Sequence, residues 1–343
     1  MVHTLNRSDV TAALRGWRRL GADPSEITCP AIESIAFRDV LEFYLMLNGV
    51  RAARWRDGNG RLTDMQTLPR IVANLFRDLG ALPYHVVRQR RAARHAVRNA
   101  GDRLLPPTDP ARALYLRSDH WFGTRSGGSV GHVRGVIDGF RRVGIAMDVI
   151  ATDALSGVPA DERFHLCRPV YAAGRNIPCV PELAYNDQLI DFAERGWAAW
   201  RPDFIYQRLS LCNFAGAELR RRRRVPYVCE YNGSIAWMAR HWDKRPLLLE
   251  RTALAIEDAA LACADLVVAV SAASRRELID RGVSADRILV NPNGVDPDSY
   301  QPAIDGGRIR AQYGIGDEVV IGFIGTFGKW HGAEILEIGR AHV

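Results

Sequence analysis

Two glycine-bearing segments of this 343-residue chain have the composition to hold an anion. In Asp119-His-Trp-Phe-Gly-Thr-Arg-Ser-Gly-Gly-Ser129, adjacent Gly127 and Gly128 let a substrate approach backbone amides, and a helix starting beside them presents its positive end. The spacing is neither the GxGxxG dinucleotide fingerprint nor the GxxxxGK[ST] phosphate loop. An ordinary strand-to-helix turn has the same composition, so the loop alone leaves both uses open. The second segment, Val319-Val-Ile-Gly-Phe-Ile-Gly-Thr-Phe-Gly-Lys-Trp-His-Gly332, reads as a strand and glycine-rich turn opening a further α/β unit. A strand and its turn cannot bury both of their own faces, so such a unit requires several more βα repeats.

Metal and thiol chemistry have no motif to rest on. Cys29, Cys167, Cys179, Cys212, Cys229 and Cys263 are scattered without zinc or redox spacing, and buried reduced thiols are expected. The net charge of +7 favours anionic partners without choosing among them. Much of it lies at 88–98 and in Arg220-Arg-Arg-Arg-Arg224. The second tract fits a solvated last helical turn or a contact with anionic lipid head groups. It lacks the interleaved aromatics of a single-strand platform, so no specific nucleic acid is expected.

The elements that position these segments follow from hydrophobic patterning. Apolar runs at 113–117, 147–151, 204–206, 227–229, 266–270 and 288–290 read as strands, with helices at 130–143, 247–263 and 272–280. That succession predicts an open, mainly parallel sheet whose ligands bind beyond the carboxyl ends of its strands. Before it, helical apolar spacing at 40–47 and 68–79, with a turn at Gly58-Asn-Gly60, predicts a mainly helical extension over 1–110 that ends in the proline-bearing stretch 101–110. An apolar content of 47% with 25% charged residues excludes global disorder. No charged start precedes an apolar run of signal-peptide or membrane length, so cytoplasmic residence is expected, with peripheral association at the inner membrane face as an option. Glu337-Ile-Gly-Arg-Ala-His-Val343 resembles a translated library adapter and is set aside from the fold as a processing scar.

Three motifs in order, Asp265-Leu-Val-Val-Ala-Val-Ser-Ala-Ala-Ser274, Arg287-Ile-Leu-Val-Asn-Pro-Asn-Gly-Val-Asp296 and Gly322-Phe-Ile-Gly-Thr-Phe-Gly-Lys-Trp-His-Gly332, resemble family 4 glycosyltransferases of the GT-B fold. The resemblance covers about residues 112–336. It implies two facing Rossmann-like domains, an acceptor-side one at 111–300 and the start of a donor-binding one at 301–336.

It further implies transfer of a sugar from a nucleotide-sugar to an acceptor hydroxyl with retention of configuration, without a metal or other cofactor, in envelope or extracellular glycan synthesis. The implied partners are the nucleotide-sugar and a glycan or lipid-linked acceptor. On the acceptor side the resembling residues are Gly127, Gly128, His132, Arg208, Glu230 and Asn232. Each has a structural competitor: His132 as a packed or capping residue, Arg208 as a bridge between acidic side chains, Glu230 and Asn232 as closers of a loop. Family members often carry a histidine where this chain has Asn232. On the donor side, Gly325, Thr326, Lys329, His331 and Gly332 are the diphosphate candidates, although the family's usual basic residues are absent at Thr326 and His331. Two other classes stay open: an acceptor-binding or interaction module without activity of its own, and a dinucleotide-dependent oxidoreductase, which the missing fingerprint disfavours.

Overall fold

The computed structural model describes residues 3–4, 26–29, 31–47, 49–50, 53–120, 122, 127–161, 163–171, 173–242, 247–298, 301–320 and 322. The N-terminal part holds β1 (His3–Thr4), β2 (Glu26–Thr28), α1 (Arg38–Leu47), β3 (Arg54–Arg56), β4 (Leu62–Asp64) and α2 (Leu68–Arg98). The expected helices are present, but a four-stranded sheet in the order β1-β2-β3-β4 accompanies them, so the extension is not helical alone. Its strands run for two or three residues, too short to display the alternation that marks a strand. Gly60, at φ +81°, closes the β3–β4 turn with Asp57 Oδ1 accepting from the amides of Asn59 and Arg61. Ile27, Leu41, Leu45 and Trp55 form a small core, and Trp55 Nε1 donates to buried Glu42 at 2.7 Å.

The main unit comprises β5 (Arg112–Arg117), α3 (Gly128–Arg142), β6 (Ala146–Ala151), β7 (Phe164–Leu166), α4 (Val180–Trp200), β8 (Phe204–Arg208), α5 (Ala215–Arg223), β9 (Tyr227–Tyr231), α6 (Ile235–His241), α7 (Glu250–Cys263), β10 (Leu266–Ala269), α8 (Ala272–Asp280) and β11 (Ile288–Val290). A short helix, α9 (Gly307–Tyr313), follows. The strands form one sheet in the order β11-β10-β9-β8-β5-β6-β7, with every neighbouring pair parallel. The order grows outward from β5 in one direction and then from β8 in the other, which makes β5/β8 the switch point, the place where sheets of this kind hold their ligands.

Burial on both faces explains why the strands are near-continuous apolar runs. Ala113, Tyr115, Met147, Val149 and Tyr206 pack beneath α3 through Val133 and Ile137. Leu114, Leu116, Ile205, Cys229 and Val267 face the opposite layer of α4, α5 and α7. The second half of α2 joins that layer through Ala93 and Ala96.

Polar anchors fasten the first half of α2 and α1 to the main unit. Buried Asp78 accepts from the Gly174 amide at 2.7 Å, the Asn176 amide at 3.1 Å and Asn176 Nδ2 at 2.6 Å. Asp39, also fully buried, accepts from Arg175 Nε, Asn74 Nδ2 and Asn176 Nδ2 at 2.6–2.8 Å. Burial alone would raise the Asp39 carboxyl, but these donors hold it at about 2. Val319 and Val320 are exposed and lie in no strand, and nearly all of the unit expected to open there falls outside the described residues.

Candidate functional site

Strand register brings the acceptor-side candidates together. Arg117 on β5 pairs with Arg208 on β8, and Arg208 pairs with Glu230 on β9. The three lie in one row at the carboxyl ends of adjacent strands, on the face covered by α3. One pleat earlier, Tyr115 stacks on Tyr206 with ring centroids 5.6 Å apart, forming an aromatic floor.

Glu230 is the hub of this row. It is 1% exposed and accepts from Tyr206 Oη at 2.9 Å on one oxygen and from Asn232 Nδ2 on the other. His132, one turn into α3, places Nε2 2.8 Å from Glu230 Oε1, close in distance but without the alignment of a hydrogen bond. Arg208 Nη1 lies 3.6 Å from the same oxygen and has no hydrogen-bond partner of its own. Burial pushes the Glu230 carboxyl up, yet His132, Arg208 and Asn232 outweigh it and hold the group below the ordinary glutamate range. Burial and the nearby Glu230 charge push the Tyr206 phenol up, so it stays a neutral donor.

The glycine pair sits at the start of α3. Gly127 is the N-cap residue at φ +118°, a conformation that requires glycine, and no side chain caps the helix. A Cβ at Gly127 or Gly128 would meet nothing within 4 Å among the described residues. Arg117 forks onto Asp119 at 2.9 and 3.1 Å, and Thr152 Oγ1 donates to the Asp119 carbonyl at 2.6 Å, fixing the loop where it leaves β5.

A second polar layer on the opposite face holds the same loops and was missed in the sequence. Gln207 Nε2 donates to Asn213 Oδ1 at 2.7 Å and Ser118 Oγ at 3.2 Å, and Ser118 Oγ lies 2.7 Å from Ser210 Oγ. Buried His120 meets the Tyr171 hydroxyl at 2.9 Å. The available signal was the polar triplet Gln207-Arg208 and Ser210 closing an apolar strand, the end where doubly wound sheets hold their ligands.

The remaining candidates separate from this cluster. Gly325, Thr326, Lys329, His331 and Gly332 lie outside the described residues. Among the described residues no group of three or more His, Cys, Asp or Glu side chains is arranged to hold a metal ion. Burial pushes the Cys229 thiol up to about 12 and the Cys263 thiol up to about 11, which keeps both protonated.

Four of the five arginines of the tract are paired with carboxylates, although Arg222, Arg223 and Arg224 remain exposed. Arg220 is buried and forks onto Asp265 at 2.7 Å, Arg221 and Arg222 share Glu218 at 2.7–2.8 Å, and Arg223 pairs with Glu194 over the Trp197 ring.

A doubly wound parallel sheet with polar side chains gathered at its switch point defines a Rossmann-like α/β unit of the kind found in GT-B proteins. The Glycosyltransferase Family 4 model matches residues 126–299, just over half the chain, and the chain belongs to that family. No curated protein matches it in sequence. Similar solved structures include sucrose-phosphate synthase from Thermosynechococcus elongatus, at 17% identity over 68% of this chain and 60% of that one, with a TM-score of 0.49. Anabaena HepE in complex with UDP is 18% identical over 67% of this chain and 57% of that one, with a TM-score of 0.39. The UDP-GlcNAc 2-epimerase of Neisseria meningitidis bound to UDP-GlcNAc is 14% identical over 52% and 45%, with a TM-score of 0.38. This chain thus spans between 45% and 60% of the length of these structures.

Proposed function

We propose that this chain provides the acceptor side of a retaining glycosyltransferase that moves a sugar from a nucleotide-sugar to an acceptor hydroxyl. The observation that carries the reading is the Arg208–Glu230–His132 cluster at the sheet's switch point, inside the segment matched by the family model.

Glu230 already accepts from two donors and faces two more basic groups, so it is a poor base for an incoming hydroxyl. Its role is to position His132 and Arg208. The Arg208 side chain keeps 15% of its surface exposed, and its guanidinium is the donor proposed to meet an acceptor hydroxyl or phosphate. The uncapped amides at Gly127 and Gly128 offer further donors across the opening. Held this way, an acceptor meets the donor sugar already oriented, which removes much of the entropic cost of the encounter. The partner domain, through its own glycine-rich turn near Gly325 and Gly332, would stabilise the departing diphosphate.

The test is a transfer assay over a panel of nucleotide-sugars with envelope glycan acceptors, the product's anomeric configuration being read by NMR. The expected product keeps the donor's configuration, and Arg208→Gln lowers transfer at least tenfold. An inverted product would sink retention. Transfer unaffected by Arg208→Gln would sink the assigned site, and absence of transfer with binding of glycan alone would favour an acceptor-binding module.

A further inference from the structure

The outward face of α2 carries its apolar residues where a soluble helix carries polar ones. At 100° per residue, Val72, Phe76, Leu79, Pro83 and Val87 fall in one stripe. Phe76 is 71% exposed and Leu79 60%, whereas the buried face, Ile71 apart, is polar or small, with Asn74, Asp78, Gln89, Ala93 and Ala96. The stripe extends for about 22 Å along the helix axis. A run of this kind on a free surface marks a contact with something apolar.

Charge identifies what that contact is. The helix holds seven arginines and one carboxylate, Asp78, which is buried against the main unit. At the same 100° per residue, Arg91, Arg94 and Arg98 continue the line of the stripe beyond Val87, and Arg70, Arg77 and Arg88 lie together on one flank of the helix; all six are exposed. Arg88 is paired with Asp187 at 2.8 Å, and the rest of the outward surface of α2 presents cations and apolar groups with no carboxylate of the helix itself among them. An apolar strip continued by arginines and flanked by them on one side is the pattern of a helix lying in the head-group region of an anionic bilayer.

We propose that α2 is a membrane-docking helix, with residues 72–87 seated in the interface and Arg91–Arg98 against anionic head groups. This adds a second lipid-facing segment to the 220–224 tract, in which Arg220 to Arg223 are paired with carboxylates. The segment that docks is also the one whose Asp78 holds the 174–176 loop, which follows β7 at the ligand-bearing edge of the sheet. Docking thus sets that edge beside the bilayer, within reach of an acceptor carried on a lipid; this consequence, unlike the docking itself, rests on the glycosyltransferase reading.

Flotation of the full chain with phosphatidylcholine vesicles, with and without phosphatidylglycerol, tests the proposal. The expected result is binding to the anionic vesicles, about tenfold or more weaker without phosphatidylglycerol. Phe76→Glu/Leu79→Glu should reduce binding by about tenfold or more with an unchanged urea midpoint, since both side chains are exposed. Arg91→Glu/Arg94→Glu should remove the salt-sensitive part. A chain that stays unbound, or a Phe76→Glu/Leu79→Glu variant that binds as well as the parent, overturns it. So does a lipid-free dimer that the same variant splits, which would assign the stripe to a second copy. Transfer to a water-soluble acceptor should survive Phe76→Glu/Leu79→Glu, so vesicle binding and sugar transfer can fail independently.

Discussion

Replacing Glu230 by Gln keeps the shape of the hub and deletes its charge. Tyr206 and Asn232 can still bond to an amide, but the Arg208 guanidinium, 3.6 Å away and 15% exposed, loses its counter-charge. Truncating one partner of a buried, hydrogen-bonded ion pair costs about 3–5 kcal/mol. Arg208 Nη1 makes no hydrogen bond among the described residues and the side chain keeps some access to water, so a loss of about 2 kcal/mol is expected near neutral pH. The folded carboxyl titrates below its unfolded value. Its stabilisation is therefore complete above the unfolded pKa, about 4.5, and is lost as pH falls through the lower folded value. Urea unfolding of parent and Glu230→Gln at stepped pH reads this directly. The gap between the two should be widest near neutral pH and close in acid, where the parent carboxyl becomes as neutral as the amide. A gap that is absent at neutral pH, or that widens on acidification, would refute the assignment of Glu230 as a charged hub.

Gly127→Ala should cost about 1–3 kcal/mol from backbone strain at φ +118°, whereas Gly128→Ala, with ordinary φ and an open surrounding, should stay within about 1 kcal/mol of the parent. If the amides there receive ligand, Gly128→Ala still lowers transfer; unchanged transfer in a stable Gly128→Ala protein would remove the loop from the site. Asp39→Ala strips the acceptor from Arg175, Asn74 and Asn176 and should cost about 3 kcal/mol near neutral pH. Because Asp39 titrates at about 2 in the folded chain, that contribution persists to about pH 4 and fades only as pH approaches 2, which acid-titrated unfolding can follow.

The parallel strands were legible in the sequence because strands buried on both faces are written as unbroken apolar runs, and those expected at 113–117, 147–151 and 288–290 agree with the structure to within a residue. The sheet of β1 to β4 was not, because strands of two or three residues take their form from neighbours far along the chain. The same limit applies to the site. Arg208, Glu230 and His132 each carried a reason to be noticed, but their meeting depends on the β5/β8/β9 register and on the seating of α3, and both are set by long-range pairing. Periodicity likewise announced a helix at 68–79 without saying which side is covered. Ile71, Asn74 and Asp78 face inward, fixed by the 174–176 loop, and this turns Val72, Phe76 and Leu79 outward. The exposed stripe is thus a consequence of two buried aspartates: the network that Asp39 and Asp78 make with Arg175 and Asn176 sets the rotation of α2, and with it the surface offered to a bilayer.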